Sequence, residues 1–544
     1  MKKTKAVLSI VLSVLLVVLT VSPAFAAEKK CDCGTAPIVQ VRGIGETLYD
    51  GEGNEVFSAE NIINGILPAL PGLTYYLATG NTDVLVDALK VAVTKIFAPV
   101  SYDNNLNRDS VVEVHGYTSD PIETYVDLTE NYASSEYTLS QAVYNELGEG
   151  HSYLFIYDWT ANPFDIAADL NQFIKEVKEK SGHDKVTLCA ESMGGCMTNT
   201  YLAVYGYEDV QNVVMANAAF NGLEMLGQLF IGNPEIDGEA LARLIVQSIY
   251  GNAEYASLIP YIPVFEQLAL FANDLFEKAG DKIYKEVLIP VFGYLPSFWC
   301  FIPEYHFEEA KALMLPDAGP ELLGFVNEYY EKVASKTTDR VKEMVESEDV
   351  NYFCVSNYNK FIAPVTKTAR WNSDGVIETY NTSGFATVAD IGTTLGAEYV
   401  QAVDFGRNMI SPDNIVDAST CQAPMQTWFT KNWGHIAYNH NDGTCDFYIW
   451  LLTAKEQYTI DSNSQYPQFM YYNTEIPMLM PYTCGSGDVT GDGKVTAIDA
   501  TLVLKAASGV ICFPSENLPE ADVNCDGVIT AVDARIILRK ATEN

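Results

Sequence analysis

Between Pro37 and Ala216, short apolar runs alternate with longer stretches whose apolar positions recur at helical spacing. Pro37–Val41 (P-I-V-Q-V) and Asp109–Val114 read as strands, separated by an excursion from Glu46 to Arg108 with helical period over Val84–Phe97. A helix at Leu139–Leu147, a strand at Ser152–Trp159, a helix at Phe164–Lys180, a strand at Val186–Ala190, a helix at Cys196–Tyr205 and a strand at Val213–Ala216 follow. Strands separated by helices in this order predict an α/β fold, a mostly parallel sheet with helices on both faces. From about Gly222 to Ser347 the alternation gives way to a helical segment rich in large apolar residues, among them Leu226–Ile231, Phe265–Phe276 and Leu288–Ile302. Strand character returns at Val350–Val355, and a helix is expected near Phe447–Lys455.

At the N-terminus, Lys2, Lys3 and Lys5 precede an apolar run from Ala6 to Val21 and the small-residue site Ala24-Phe25-Ala26. This pattern predicts a secretory signal over residues 1–26 and an extracellular protein. No later apolar run is long and uninterrupted enough to predict a membrane span. The remaining chain is too long for one simple core, so a large domain over 27–480 and a small module over 485–544 are expected. With 33 basic against 71 acidic residues the net charge is −38, which argues against nucleic acid as a partner. The 11 cysteines are an odd number in a chain expected to be secreted, so at least one stays reduced or pairs outside the chain. Cys189 and Cys196 are read as small packing residues.

The chemistry centres on Val186–Gly195, V-T-L-C-A-E-S-M-G-G. A buried strand runs into the turn Glu191-Ser192-Met193 and then a helix opened by Gly194-Gly195, the context of a nucleophile elbow. Small residues are needed two places either side of the nucleophile because strand and helix backbones meet beneath it; here they are Ala190 and Gly194. Ser192 would attack an acyl carbon, with the Met193 N–H as one oxyanion donor. Two glycine turns that follow strands compete for the other donor, Arg42-Gly43-Ile44-Gly45, through the Ile44 N–H, and His115-Gly116.

An acid on a turn, Asp374, precedes Trp428-Phe429-Thr430-Lys431-Asn432-Trp433-Gly434-His435. The order Ser192, Asp374, His435 is the serine, acid, histidine order of this fold, His435 being the base and Asp374 the residue that fixes its tautomer. Asp390 and Asp404 remain alternatives for the acid. The long segment 222–347 then reads as a helical lid over the catalytic edge, its apolar faces serving either acyl chains or a subdomain core.

Residues 488–499, D-V-T-G-D-G-K-V-T-A-I-D, and 522–533, D-V-N-C-D-G-V-I-T-A-V-D, repeat one another. Oxygen donors at loop positions 1, 3, 5, 9 and 12, with a carbonyl at 7 and glycine at 6, form a calcium loop. The first set is Asp488, Thr490, Asp492, the Lys494 carbonyl, Thr496 and Asp499; the second is Asp522, Asn524, Asp526, the Val528 carbonyl, Thr530 and Asp533. An apolar helix is expected after each, Ala500–Ala507 and Ala534–Lys540, giving a small all-α EF-hand-like module. The doubled loop resembles a type I dockerin, which implies two Ca2+ ions and docking onto a cohesin domain of a scaffoldin. Ala497-Ile498 and Ala531-Val532 match the positions that touch cohesin in that family, while Thr490 and Cys525 replace its commoner Asn and Gly.

The larger domain resembles the lecithin:cholesterol acyltransferase-like group of α/β-hydrolases. The matching segments are P-I-V-Q-V-R-G-I-G, Tyr157-Asp158-Trp159, A-E-S-M-G-G, Pro296-Ser297-Phe298-Trp299 and T-W-F-T-K-N-W-G-H. This resemblance favours the Ile44 turn over His115-Gly116 and implies ester hydrolysis or acyl transfer through an acyl-serine. The expected protein is a secreted esterase or lipase, acting on lipids or acylated polysaccharide and tethered through cohesin to a cellulosome-like complex. Two other readings are an acyltransferase using the same triad and a catalytically idle hydrolase fold that serves as a cohesin-binding structural protein.

Overall fold

The computed structural model describes residues 33–45, 47–128, 137–241, 262–396, 398–473, 477–482, 485–511, 518–524 and 529–543. The expected signal 1–26, residues 242–261 of the insertion, and the ligand positions Asp526 and Val528 lie outside the described residues.

The larger domain is an α/β-hydrolase fold built on one eight-stranded sheet. In chain order its strands are β1 Ile38–Val41, β2 Ser152–Phe155, β3 Val186–Glu191, β4 Val210–Ala216, β5 Asn351–Tyr358, β6 Thr427–Lys431, β7 Phe469–Asn473 and β8 Met478–Pro481. They lie in the order β8-β7-β6-β5-β4-β3-β1-β2, all neighbours parallel except the antiparallel edge pair β7–β8. Parallel strands with helical crossovers are covered on both faces, so their central members are apolar on both sides. Along β3, Val186, Leu188 and Ala190 enter one core while Cys189 enters the other. Along β4, Val213 and Met215 face the first and Val214 and Ala216 the second. The period-two alternation of a strand thus divides the apolar residues between two layers.

The helix Pro163–Ser181 places Ile166, Leu170, Phe173, Ile174 and Val177 on the first face. Thr138–Leu147 and Thr444–Leu452 cover the second with Leu139, Val143, Phe447 and Tyr448. Each such buried side chain contributes about 1.5–3 kcal/mol.

The strand expected at Asp109–Val114 does not join this sheet. Only Val112–Val114 is extended, paired antiparallel with Leu48–Asp50 in a separate ribbon. Its exposed end carries His115, stacked on Tyr49 at 3.9 Å. The reason is its environment: Glu113 is exposed and neither Val112 nor Val114 is fully buried, a pattern suited to a surface ribbon rather than to a central parallel strand.

The described part of the insertion divides in two. The helix Ile262–Ile283 packs through Leu275, Ala279 and Ile283 on Leu85 and Val86 of the helix Thr82–Phe97, forming a small separate core. The later helices Phe307–Met314, Pro320–Lys332 and Thr337–Glu346 send Phe307, Met314, Phe325, Tyr329 and Met344 into the main core. Between them Tyr284–Gly293 winds as a wider π-helix around Pro290, whose missing N–H cannot serve an α-helical ladder.

At the C-terminus, the helices Ala497–Ala507 and Ala531–Glu543 pack on each other through Ala500, Val503, Ala534 and Ile537. Among the described residues, no helix is long and apolar enough to cross a membrane.

Candidate active site

Ser192 sits just past the C-terminal end of β3 with φ 54°, the left-handed region that a residue with a side chain adopts at a cost of about 1–3 kcal/mol. Glycines make the turn possible by removing Cβ atoms. A Cβ on Gly194 would lie 1.9 Å from the Val41 carbonyl oxygen, and one on Gly195 would lie 2.5 Å from the Ala218 Cβ. Ala190, two residues before the serine, is fully buried and its methyl is accommodated. The turn is tied down by the Ser192 carbonyl, which accepts from the N–H groups of Gly195 at 3.0 Å and Ala219 at 2.8 Å.

The turn after β1 is pressed against the same serine. A Cβ on Gly43 would stand 2.4 Å from the Ser192 Cβ and 2.8 Å from its Oγ. Tyr157 fixes this turn by donating its hydroxyl to the Arg42 carbonyl at 2.7 Å. Ile44 follows with its side chain half exposed, and Met193 caps the elbow helix Gly194–Tyr205. The competing His115 lies on the separate ribbon described above.

His435 Nδ1 lies 2.7 Å from Asp374 Oδ2. Asp374 is buried, and its other oxygen accepts the N–H groups of Val376 and Ile377 at 2.8 Å each, which aims the carboxylate at the ring. His435 Nε2 is buried and has no hydrogen-bond partner among the described residues. Burial of the ring opposes its protonation, yet the Asp374 carboxylate, aided by Glu191, outweighs this and raises the His435 pKa above its ordinary value. Asp390 and Asp404 serve local turns instead: the Asp390 carbonyl accepts from the Thr393 N–H, and Asp404 Oδ1 accepts from the Gly406 N–H.

Residues not singled out from sequence hold the histidine loop. Asn217, at φ 46° just past β4, donates its side-chain amide to the His435 carbonyl at 2.7 Å. Its Oδ1 accepts the Asn357 N–H at 2.8 Å, and Asn357 in turn donates to the Gly434 carbonyl at 2.8 Å. The ends of β4 and β5 therefore clamp the His435 loop from below. Glu191, the residue before the serine, is fully enclosed and accepts from Gln40 at 2.8 Å and Tyr438 at 2.7 Å. Burial raises its pKa against the lowering effects of these donors, Arg42 and His435.

Other expected positions are structural here. Trp299 of P-S-F-W is buried in the core, donating to the Gly293 carbonyl at 2.8 Å and meeting Phe230 edge-on. Asp158 pairs with Arg108 at 2.7 Å.

In the C-terminal repeat, the first loop has the backbone and donors a calcium ion needs. Gly493, at position 6, has φ 81°, and Asp488 gathers the N–H groups of Asp492 and Gly493. Both oxygens of Asp499 turn inward, accepting the Thr490 N–H at 3.0 Å and the Thr496 N–H at 2.8 Å. In the second loop Asp533 repeats this with Asn524 at 3.3 Å and Thr530 at 2.8 Å. Asp488, Thr490, Asp492, Lys494, Thr496 and Asp499 fit an oxygen-liganded Ca2+, as do the described positions of the second loop. Ile498 and Val532, in the first turns of the helices Ala497–Ala507 and Ala531–Glu543, are exposed large apolar residues.

A family model described as serine aminopeptidase, S33, matches residues 106–251, and one described as dockerin type I domain matches residues 486–540. No curated protein matches. Among solved structures, "The crystal structure of Tle4-Tli4 complex" is similar at 15% identity with a TM-score of 0.18, covering 36% of this chain and 48% of that chain. The chain therefore spans about half the length of that relative. This chain contains an α/β-hydrolase domain, similar over residues 106–251 to the S33 serine aminopeptidases, and a C-terminal segment that matches the type I dockerin, a calcium-binding module.

Proposed function

We propose that the larger domain is a serine esterase or lipase that cleaves acyl esters through an acyl-serine, with Ser192 as nucleophile, His435 as base and Asp374 as its orienting acid. The observation that carries this reading is the 2.7 Å pair between His435 and buried Asp374, which leaves the opposite ring nitrogen without a hydrogen-bond partner among the described residues, at the edge that carries Ser192. Asp374 holds the proton on Nδ1, so Nε2 is the basic nitrogen. His435 Nε2 takes the proton of Ser192 as Oγ adds to the carbonyl carbon, and Asp374 stabilises the imidazolium. The proton then passes to the leaving alcohol, and water repeats the cycle on the acyl-serine. The Ile44 and Met193 N–H groups are the donors assigned to the developing oxyanion.

The resemblance to lecithin:cholesterol acyltransferase-like hydrolases supports an ester substrate, and the dockerin supports a setting beside other scaffold-bound enzymes. Lipids and acyl groups on polysaccharide are the two substrate classes that fit, with 222–347 as the lid and secretion directed by residues 1–26. Transfer to an alcohol instead of water uses the same residues. The test is release of p-nitrophenol from acetyl, butyryl and palmitoyl esters by wild type and Ser192→Ala. Turnover by wild type alone, at a rate at least about 10⁴-fold above the variant, supports the reading. Equal inertness of both on all three esters overturns the esterase assignment.

A further inference from the structure

Three metal-ligating side chains converge at the edge of the sheet opposite Ser192. Cys33 precedes β1, His151 immediately precedes β2, and His183 lies in the turn leading into β3. Because these strands are parallel, all three residues sit at the N-terminal edge, while Ser192 follows the C-terminal end of β3. Cys33 Sγ is 3.2 Å from His151 Nε2 and 3.7 Å from His183 Nε2, and the three ligand atoms lie within 4.8 Å of one another. A tetrahedral zinc ion with Zn–S of about 2.3 Å and Zn–N of about 2.0–2.1 Å separates such atoms by roughly 3.6 Å.

A second observation concerns how the cluster is held. His151 is buried, and its Nδ1 lies 2.9 Å from the Glu149 carbonyl. That carbonyl can only accept, so Nδ1 carries the proton and Nε2 presents its lone pair to Cys33 Sγ. A backbone carbonyl behind a ligating imidazole is how metal sites fix tautomer and ring orientation. Gly34, at φ 73°, turns the chain so that the Thr35 N–H reaches back to Cys33 Sγ at 3.5 Å, a donor that suits a thiolate. The thiol also lies 3.3 Å from the Thr35 carbonyl, to which its proton can be donated in the absence of metal.

We propose that Cys33, His151 and His183 form a site for a divalent transition-metal ion, zinc by ligand chemistry, that pins the segment before β1 to the turns before β2 and β3. One thiolate and two imidazoles select a borderline-soft ion over Ca2+. Binding displaces the Cys33 thiol proton to solvent. The site is structural, since the whole depth of the sheet separates it from Ser192.

The test uses the full chain, stripped of transition metals by a chelator and returned to excess Ca2+ so that the dockerin loops are filled. Cobalt(II) is the probe. The expected result is a thiolate-to-cobalt charge-transfer band and intense tetrahedral visible absorption that saturate at one equivalent, with zinc displacing both and raising the melting temperature. Cys33→Ser should abolish the charge-transfer band. His183→Asn, a partly exposed turn substitution, should weaken zinc binding by at least about 10-fold while far-ultraviolet circular dichroism stays unchanged. The proposal is overturned if wild type shows no thiolate band, if the band survives in Cys33→Ser, or if peptide mapping finds Cys33 in a disulfide.

Discussion

Ser192 could be recognised in the sequence because the strain at its backbone demands a local signature. A serine at φ 54° needs small neighbours, and Ala190, Gly194 and Gly195 stand next to it in the chain. Asp374 carries no such mark; what distinguishes it from Asp390 and Asp404 is its 2.7 Å approach to His435, a relation across the fold. Glu191 and Asn217 were silent for the same reason. At this scale, Asp374→Asn should lower kcat by roughly 10⁴-fold with little change in KM, because the tautomer that leaves Nε2 basic is lost. The acid limb of the rate profile tests the histidine. A raised His435 pKa keeps the ring protonated to higher pH, so activity should fall through an apparent pKa above the ordinary imidazole value of about 6.5. Weakening the carboxylate partner should move that limb to lower pH; a limb that stays in place contradicts the pairing.

Among the elements, strands with continuous apolar runs were legible, as were the helices between them. The glycine turns were separable only through the family resemblance, because Arg42-Gly43-Ile44-Gly45 and His115-Gly116 share local chemistry and differ in which sheet their strands join. The edge strands β7 and β8 also escaped notice, since half-buried aromatic residues such as Tyr471 and Tyr472 give no clean alternation. Gly194→Ala should leave little soluble, folded protein, given the 1.9 Å approach to Val41, whereas Ala190→Gly should cost only about 0.5–1 kcal/mol. Thermal unfolding of the two variants compares them directly.

The turn that carries Asp374 is also joined to the insertion. Buried Glu378 accepts the N–H groups of Glu224 at 3.0 Å and Met225 at 2.8 Å, at the start of the helix Glu224–Phe230. Burial pushes the Glu378 pKa up to about 8, with nearby Glu224 adding to the rise against its backbone donors. A carboxyl raised in the folded state favours folding in its neutral form. Its stabilising effect is complete below the unfolded value of about 4.3 and is lost as pH rises through 8, a change on the order of a few kcal/mol. Glu378→Gln, neutral throughout, should therefore gain in melting temperature relative to wild type between pH 6 and 9; a constant difference across that range contradicts the assignment.

For the whole molecule, the two modules differ in what stabilises them. The hydrolase domain has two extensive cores on either side of its sheet, while the dockerin has a small one around Val503 and Ile537 and loops crowded with carboxylates. Removing Ca2+ should melt the C-terminal helices and abolish cohesin binding while leaving the hydrolase transition and ester turnover in place, as calorimetry and a p-nitrophenyl ester assay can check. The repeat was legible because its ligands are contiguous, whereas the helical insertion was legible only as helix, since the partners of Ile262–Ile283 lie far away on Thr82–Phe97. The central claim, an activated serine at the elbow, is tested most directly by labelling the full-length protein with a fluorophosphonate and mapping the modified peptide. One adduct per chain on Ser192, absent from Ser192→Ala and lost in His435→Ala, is the predicted result. A folded wild-type protein that takes up no label, or takes it up equally in Ser192→Ala, would contradict the account.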